Sequence, residues 1–387
     1  MIKSVKIMLK PNNKQISKLF QSAGVSRFAY NWTLGRQKEN YNNGGKFLSD
    51  NELRKEFTIL KKQDEYKWLN EYSNNIPKQA IKDACDSYKR FFKHQSQFPK
   101  FKSKRKSNPS FYVDNIKIKF TNTHVKLEKI SASTKGNKAK FNWIRLCEKG
   151  RMPIDCKYIN PRVTFDGLNW WISVGLEYED NIHKPTNKGI GIDLGIKDLA
   201  ICSDGIVYKN INKTSKIKKL KKKKRRLQRK VSNKYLINKK GVCYIKTSNI
   251  IKLEKQLLKL NKRLTGIRTD YLHKTTTEII NREPMFIALE DLNVKGMMKN
   301  KHLAKAIQEQ SFYEFKRIIT YKALWNNIEI VDVPRFYPSS KTCSECGSYK
   351  KDLKLSDREY ICEECGCVID RDLNASINLA NYQQLVV

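Results

Sequence analysis

Two groups of residues in this chain have the types and spacing to hold metal ions. The first is Cys343-Ser-Glu-Cys346 followed, after fifteen intervening residues, by Cys362-Glu-Glu-Cys365. A Cys-x-x-Cys turn aims two thiolates at one point, and two such knuckles close a tetrahedron around Zn²⁺. With all four positions taken by protein, the ion holds the fold together and does no chemistry. Gly347 and Gly366 directly follow the pairs, where a knuckle turn benefits from a residue that tolerates positive φ. A redox dithiol uses one such pair, not two, and Cys367 is left as a spare thiol.

The second group is acidic and scattered. Asp193 sits in KGIGIDLGIKDLAI, Glu290 ends the apolar run MFIALE, and Asp370 and Asp372 sit in IDRDLNASIN at the entry to the last helix. Parallel strands placed side by side bring Asp193 and Glu290 together, and a helix N-terminus packed across them delivers a third acid. Three converging carboxylates repel one another unless cations sit between them. Two divalent ions about 3.5–4 Å apart relieve that repulsion and support in-line phosphodiester cleavage, and the hard oxygen ligands favour Mg²⁺ or Mn²⁺. Taken singly, an Asp before Leu-Gly reads as a turn residue and an Asp at a helix start reads as a cap. The order of the elements argues for the site, with Asp370 and Asp372 both open as the third acid. GIGIDLG also resembles the phosphate loop of actin-like and chaperone-type ATPases. Those loops place a Thr or Ser hydroxyl after the glycine, where this chain has Ile196-Lys197-Asp198.

What these acids would act on follows from charge. The 387 residues carry 78 Lys+Arg against 38 Asp+Glu, a formal charge of +40. Such a chain repels itself unless a polyanion neutralises it, and nucleic acid, bound largely by counterion release, is the expected partner. The cations are clustered. From Ser215 to Lys230 the chain has no acid, and Lys218, Lys219, Lys221, Lys222, Lys223, Lys224, Arg225, Arg226 and Arg229 crowd one helix. A solvated helix face normally mixes signs. From Arg90 to Lys106, Phe91, Phe92, Phe98 and Phe101 interleave with Lys100, Lys102, Lys104 and Arg105, a pattern in which rings stack on unpaired bases while cations follow phosphates. No apolar run is long enough to span a bilayer and no signal-peptide pattern opens the chain. The other five cysteines are spread singly. The expectation is a cytoplasmic, nucleoid-associated protein with reduced thiols, no membrane partner and no small-molecule substrate.

The elements that must position these residues read as follows. A strand spans Lys3 to Lys10, and a helical region runs from Asn13 to about His94, with Ile16, Phe20, Ala23 and Phe28 on one apolar face and Ile81, Ala84, Tyr88 and Phe91 on another. Short alternating runs between about 108 and 180 read as antiparallel strands of a barrel or sandwich. HKPTNK, near 183 to 188, reads as a linker. Three short strands follow, with a tight turn at Ser203-Asp204-Gly205. Ile217, Leu220, Leu227 and Val231, then Ile250, Leu253, Leu257, Leu260, Leu264, Ile267 and Tyr271, recur at helical spacing and predict an antiparallel helical hairpin with one strongly basic arm. MFIALEDL and NIEIVDVP read as buried strands around a helix over about 303–326. A short helix with Leu373, Ile377 and Ala380 on one face ends the chain.

This assembly resembles TnpB, the RNA-guided nuclease of certain bacterial insertion sequences, and is similar to the smallest type V CRISPR effectors. GIDLGIKDLA, IALEDLNVKGM, and FYPSSKTCSECG through CEECGCVIDRDLNASINLA carry the likeness most specifically, with RTDYLHKTTTEII and FPKFKSKRK in support. The resemblance implies an α/β, RNase H-like (RuvC) core with a zinc-ribbon insertion and a helical hairpin, plus an N-terminal wedge β-barrel with an inserted helical recognition domain. Its implied boundaries are 1–10 and 101–183 for the wedge and 11–100 for the recognition domain. The nuclease takes 184–342 and 367–387, with a helical insertion at 213–281, and the zinc-bearing target-nucleic-acid module takes 343–366. Asp193, Glu290 and Asp372 match the three RuvC acids. Asp372 is chosen over Asp370 because the family's acid lies two before the Asn of its Asn-Ala pair, here Asn374-Ala375. The implied activity is Mg²⁺-dependent, RNA-guided cleavage of double-stranded DNA beside a short flanking motif, with a noncoding guide RNA supplying specificity by pairing. A transposase-associated DNA-binding protein, an RNA-guided binder that does not cut, and a strand-joining transposase are the alternatives.

Overall fold

β1 (Ile2–Lys10) alternates lysines with apolar side chains, and its Ile7 and Leu9 are fully covered. In the computed structural model, which describes residues 1–129, 141–179, 188–354 and 357–382, this strand lies inside a sheet rather than at its edge. The chain divides into two units, Met1–Glu179 and Asp180–Val387. The residues read as a linker at 183–187 lie outside the described ones.

In the first unit three helices follow β1: α1 (Asn13–Asn42), α2 (Asp50–Leu60) and α3 (Asn75–Phe92). Asn12 with Gln15, and Ser49 with Glu52, close capping boxes that fix where α1 and α2 begin. The strands β2 (Ser110–Tyr112), β3 (Lys119–Phe120), β4 (His124–Lys126), β5 (Trp143–Leu146), β6 (Tyr158–Phe165) and β7 (Trp170–Glu177) join β1 in one antiparallel sheet of order β2-β6-β7-β1-β5-β4-β3. β1 pairs with β7 from Ile2↔Glu177 to Leu9↔Trp170. Polar contacts hold the helices to this sheet. The Gln15 amide donates to the carbonyls of Phe141 and Trp143 at 2.9 and 3.0 Å, and Arg162 of β6 grips Asp83 of α3 through two hydrogen bonds. The expected inward face of α1 is partly displaced, because Phe20 keeps 41% of its surface exposed while Leu19 is fully buried.

The second unit is a three-layer α/β structure. β8 (Ile190–Leu194), β9 (Asp198–Cys202) and β10 (Val207–Lys209) form an antiparallel meander. The basic helix α4 (Ser215–Ile237) and the long α5 (Ser248–Ile280) follow, joined by the small ladder β11 (Lys239–Lys240) and β12 (Cys243–Tyr244). Ile217 is the one fully covered side chain of α4, whereas Ile250, Leu260, Leu264 and Leu272 of α5 are buried. β13 (Phe286–Glu290), the short α6 (Val294–Met297), α7 (Ala304–Gln310), α8 (Phe312–Trp325) and β14 (Glu329–Val333) complete the core, and the sheet order is β10-β9-β8-β13-β14. β13 and β14 run parallel to β8. One face packs Ile192, Ile287 and Leu289 against Leu272 and Ile279 of α5 and Phe315 and Ile318 of α8. β15 (Glu359–Ile361) and β16 (Val368–Asp370) pair antiparallel within the cysteine module, and the last helix, α9 (Arg371–Asn381), follows directly. No described helix is long and apolar enough to cross a membrane.

One expected helix is two. The periodicity over 303–326 is interrupted at Ser311, which takes left-handed φ 60°, ψ 45° between α7 and α8. The break turns Gln310 into the core, where its amide donates 2.8 Å to the Gly195 carbonyl at the β8–β9 turn. That bond satisfies a buried acceptor and outweighs the local cost of the left-handed residue.

On the other face α9 lies against β8. A methyl group added at Gly191 would stand 2.0 Å from the Ser376 carbonyl oxygen and 2.4 Å from the Ala380 nitrogen. Both are backbone atoms and cannot step aside. Gly191→Ala is therefore expected to cost on the order of 3 kcal/mol and to lower the thermal midpoint markedly, read by calorimetry.

Candidate functional site

Asp193 is the fourth residue of β8 and Glu290 the last of β13. The parallel register runs Ile190↔Ile287, Gly191↔Ala288 and Ile192↔Leu289. One step further it sets Asp193 beside Glu290 on strands about 4.8 Å apart. Side chains alternate across a sheet, so both acids share the face of Gly191 and Ala288, the face covered by α9. The third acid arrives from that helix.

Asp370 and Asp372 do different things. The Asp370 carboxylate accepts hydrogen bonds from the backbone N–H of Asp372 and Leu373 at 2.9 and 3.1 Å, capping α9, and the residue is exposed. Asp372 sits in the first turn with a side chain only 17% exposed, held by the Arg371 guanidinium at 2.8 Å, with Arg358 4.0 Å away. The charges of Asp372 and Glu290 both act on Asp193. Burial first, then these two carboxylates, push Asp193 up to about 7. Burial and then the neighbouring Asp291 raise Glu290, opposed by Arg335. Arg335, which no sequence motif singled out, donates 2.7 Å to the Asp291 carboxylate. Among the described residues only the cysteines bring three or more ligating atoms within 4.8 Å of one another. The carboxylates of Asp193, Glu290 and Asp372 do not come that close together.

The cysteine module repeats one knuckle twice. Gly347 N–H donates to the Cys343 carbonyl and Gly366 N–H to the Cys362 carbonyl, at 3.0 and 3.1 Å; Cys343 N–H reaches Ser348 and Cys362 N–H reaches Cys367. Both glycines have positive φ, 77° and 72°. Sulfurs 2.3 Å from a tetrahedral zinc stand about 3.8 Å apart; here Cys343–Cys365 and Cys346–Cys362 are 3.7 and 3.5 Å apart, so the set fits the ion. The Ser348 hydroxyl, 3.0 Å from the Cys362 sulfur, pushes that thiol down to about 6. Cys367 supplies a backbone carbonyl and packs beside the cluster.

Two asparagines tie this module to α9. Asn374 is fully buried; its carbonyl accepts from Ser344 N–H at 2.9 Å and its amide donates to the Thr342 carbonyl at 2.7 Å. One turn on, the Asn378 amide donates to the carbonyls of Ser339 and Thr342, both at 2.7 Å. These positions were missed as functional. Their i, i+4 spacing on an otherwise apolar helix face was the available signal, since a buried amide needs partners.

The basic residues are not all free. Lys221 pairs with Glu309, which Arg268 also approaches at 3.5 Å. Part of its charge is thus met inside the unit. Lys218, Lys219, Lys222, Lys223, Arg225, Arg226 and Arg229 are exposed with no ion pair among the described residues, and Lys224 is half-buried. In the first unit Lys102 lies 3.7 Å over the Tyr30 ring, and desolvation lowers its pKa; Lys100, Lys102, Lys104 and Arg105 are all exposed.

The order and pairing of the second unit's strands, with a helical layer on each face, define an RNase H-like core carrying a zinc-ribbon-like cysteine module. Three family models match the chain: "Probable transposase" over residues 173–301, "Cas12f1-like, TNB domain" over 312–379 and "Helix-turn-helix domain" over 1–46. Through these matches the chain is similar to the OrfB family of insertion-sequence proteins and to TnpB-like proteins. Across 98% of its length it is 29% identical to the "Putative RNA-guided DNA endonuclease InsQ" of Escherichia coli (strain K12), covering 91% of that protein. It is 28% identical across 95% of its length to a "Putative RNA-guided DNA endonuclease" of Streptomyces pristinaespiralis, covering 86% of it. The fold matches the protein in a cryo-EM structure of a Cas12f1-sgRNA-target DNA complex, with TM-score 0.61, 15% identity, and coverage of 96% of this chain and 83% of that one. The segment matched by the helix-turn-helix model is here β1, the single helix α1 and the start of the loop after it.

The raised Asp193 has a measurable consequence in metal-free protein. Its folded pKa lies above the usual carboxylate value, so the folded state holds a proton that the unfolded chain has released. Stability should therefore fall as pH rises from about 4 to about 7 and stay low above that window. Asp193→Asn should flatten this part of a denaturation-versus-pH curve; an unchanged slope would show that Asp193 is not the group responsible.

Proposed function

We propose that this protein is an RNA-guided, Mg²⁺-dependent DNA endonuclease of the TnpB type that cuts target DNA beside a short flanking motif through one RuvC site. Asp193, Glu290 and Asp372 would hold Mg²⁺ or Mn²⁺, and Cys343, Cys346, Cys362 and Cys365 a structural Zn²⁺. The carrying observation is the shared face of Asp193 and Glu290 at the ends of parallel strands, with Asp372 delivered by the first turn of α9. The names of the relatives in Escherichia coli and Streptomyces support the same reading. When bound, the divalent ions supply the activated water and the charge neutralisation that phosphodiester hydrolysis needs. The chain's own part is to fix these three carboxylates and to keep Asp370 apart from them as a helix cap. A noncoding guide RNA would pair with one strand of double-stranded target DNA, and the unpaired cations of α4, with Lys100, Lys104 and Arg105, would follow phosphates. Residues 1–10 and 101–183 would form the wedge and 11–100 the recognition domain. Residues 184–342 and 367–387 would form the nuclease, and 343–366 the target-nucleic-acid module.

Plasmid cleavage by protein co-purified with its RNA tests the assignment. Asp193→Ala and Asp372→Ala should each lose cleavage by several orders of magnitude while RNA still co-purifies. Asp370→Ala should lower the melting temperature and keep activity. Retained cutting by Asp193→Ala would overturn the site, and a dead Asp370→Ala with an active Asp372→Ala would exchange the two acids.

The asparagine ties carry the second test. Cys362→Ser should lose zinc, read by atomic emission, and with it cleavage, although no cysteine touches DNA. Asn378→Ala should keep zinc yet slow cleavage, because α9 loses two of its holds on the module. Full activity in zinc-free protein would show the two sites to be independent.

A further inference from the structure

An open cavity of about 710 Å³ in the first unit has no role in the cleavage scheme above. Its walls are the end of α1, the loop carrying Phe47, the end of α3 and the segment 98–101. Five rings form a cluster here. Phe47, Phe98 and Phe92 surround Tyr88 at centroid distances of 5.9, 5.6 and 6.1 Å, and Phe91 meets Phe98 at 5.2 Å. Most of these contacts are edge-to-face, and only Tyr88 and Phe92 stack. The cluster is also wet: Phe92, Phe98 and Phe101 are 56%, 53% and 61% exposed, and Phe101 touches no other ring among the described residues. A hydrophobic core buries such side chains; a patch of this size left open marks a binding surface. Lys38, Lys46 and Lys100 stand around it, all exposed and without an ion pair among the described residues, and no acidic residue lines it.

We infer that this cavity holds an unpaired nucleobase of the guide RNA, stacked on the rings while the three lysines meet the flanking phosphates. Aromatic faces with cations and no acids are the chemistry that single-stranded nucleic acid recognises, and bases within a duplex are already stacked and out of reach. A second copy of the chain fits badly, because a two-fold contact would set the lysines of one rim against those of the other. Guide RNA is the single strand assigned here, and a displaced DNA strand is the outcome that the crosslink below would expose. The inference rests on the RNA-guided reading, but its tests do not require cleavage.

Two measurements on the full chain decide it. Phe101→Ala, whose ring packs on no other, should leave the melting temperature unchanged. It should weaken a short unstructured single-stranded RNA about tenfold, the loss of one base–aromatic stack, and leave an RNA duplex unaffected; Phe101→Trp should restore binding. Ultraviolet irradiation of the complex purified from cells should leave a ribonucleotide adduct on the peptide spanning 98–101. Unchanged single-strand affinity, an equal loss on duplex, no ribonucleotide adduct, or an adduct formed only after target DNA is added would each overturn the inference. So would a dimer that Phe101→Ala converts to monomer. If Asp193→Ala protein still cuts DNA while these results hold, the nuclease site falls and the RNA cavity stands.

Discussion

Helix α9 rests on the bare backbone of strand β8, and the arrangement of the second unit around its acids depends on that contact. Gly191 permits it, since any side chain there would meet the helix backbone. The approach sets the first turn of α9 over the end of β8, where Asp193 lies. It also places Ala288 and Leu379 in one small apolar cluster with Phe286 and Val333. A helix held farther out would leave Asp193 and Glu290 as two carboxylates at a sheet end with no third.

The helix is held from both sides. The sheet holds it by close packing, and the cysteine module holds it by buried amides. β16 runs without a loop into α9, the Asp370 carboxylate caps the junction, and Asn374 and Asn378 bind carbonyls on the chain entering the first knuckle. A zinc ion closing the two knuckles would thus stiffen the platform that aims Asp372 while standing apart from the acids. Binding energy at a closed site is folding energy, and here the folding it would drive is that of the mount of α9.

Electrostatics sets the opposite demand. Asp193 is pushed towards the protonated form by burial and by its two acidic neighbours, so the folded protein carries an acid cluster that is costly to ionise. Arg371, Arg358 and Arg335 offset part of that cost: Arg371 acts on Asp193 and Asp372, Arg358 on Asp372 and Arg335 on Glu290. Elsewhere the charge imbalance is left open. Most of the α4 cations and the lysines around the aromatic cavity have no partner among the described residues, so the protein as it stands is built for a polyanion it does not contain.

Much of this was legible in the chain itself. The zinc ligands were, because a knuckle is a local turn whose geometry depends only on Cys-x-x-Cys-Gly. So were the strands carrying Asp193 and Glu290 and the two long helices, because burial imposes a period on the residues. The zinc-ribbon-like module and the RNase H-like class followed from the order of those elements together with the family likeness, whereas the strand order did not. Other features depended on contacts between residues far apart in sequence. The break at Ser311 follows from the Gly195 carbonyl that Gln310 reaches, more than a hundred residues away. The pairing of Lys221 follows from Glu309, 88 residues further along the chain. The division of labour between Asp370 and Asp372 follows from where a helix begins over a strand. The sequence by itself determined where the two cysteine knuckles lie and which stretches are strand or helix, since those are local consequences of residue type and period. Only the tertiary structure decided which acids share a space and which cations stay free, because a carboxylate's neighbours are set by packing across the chain.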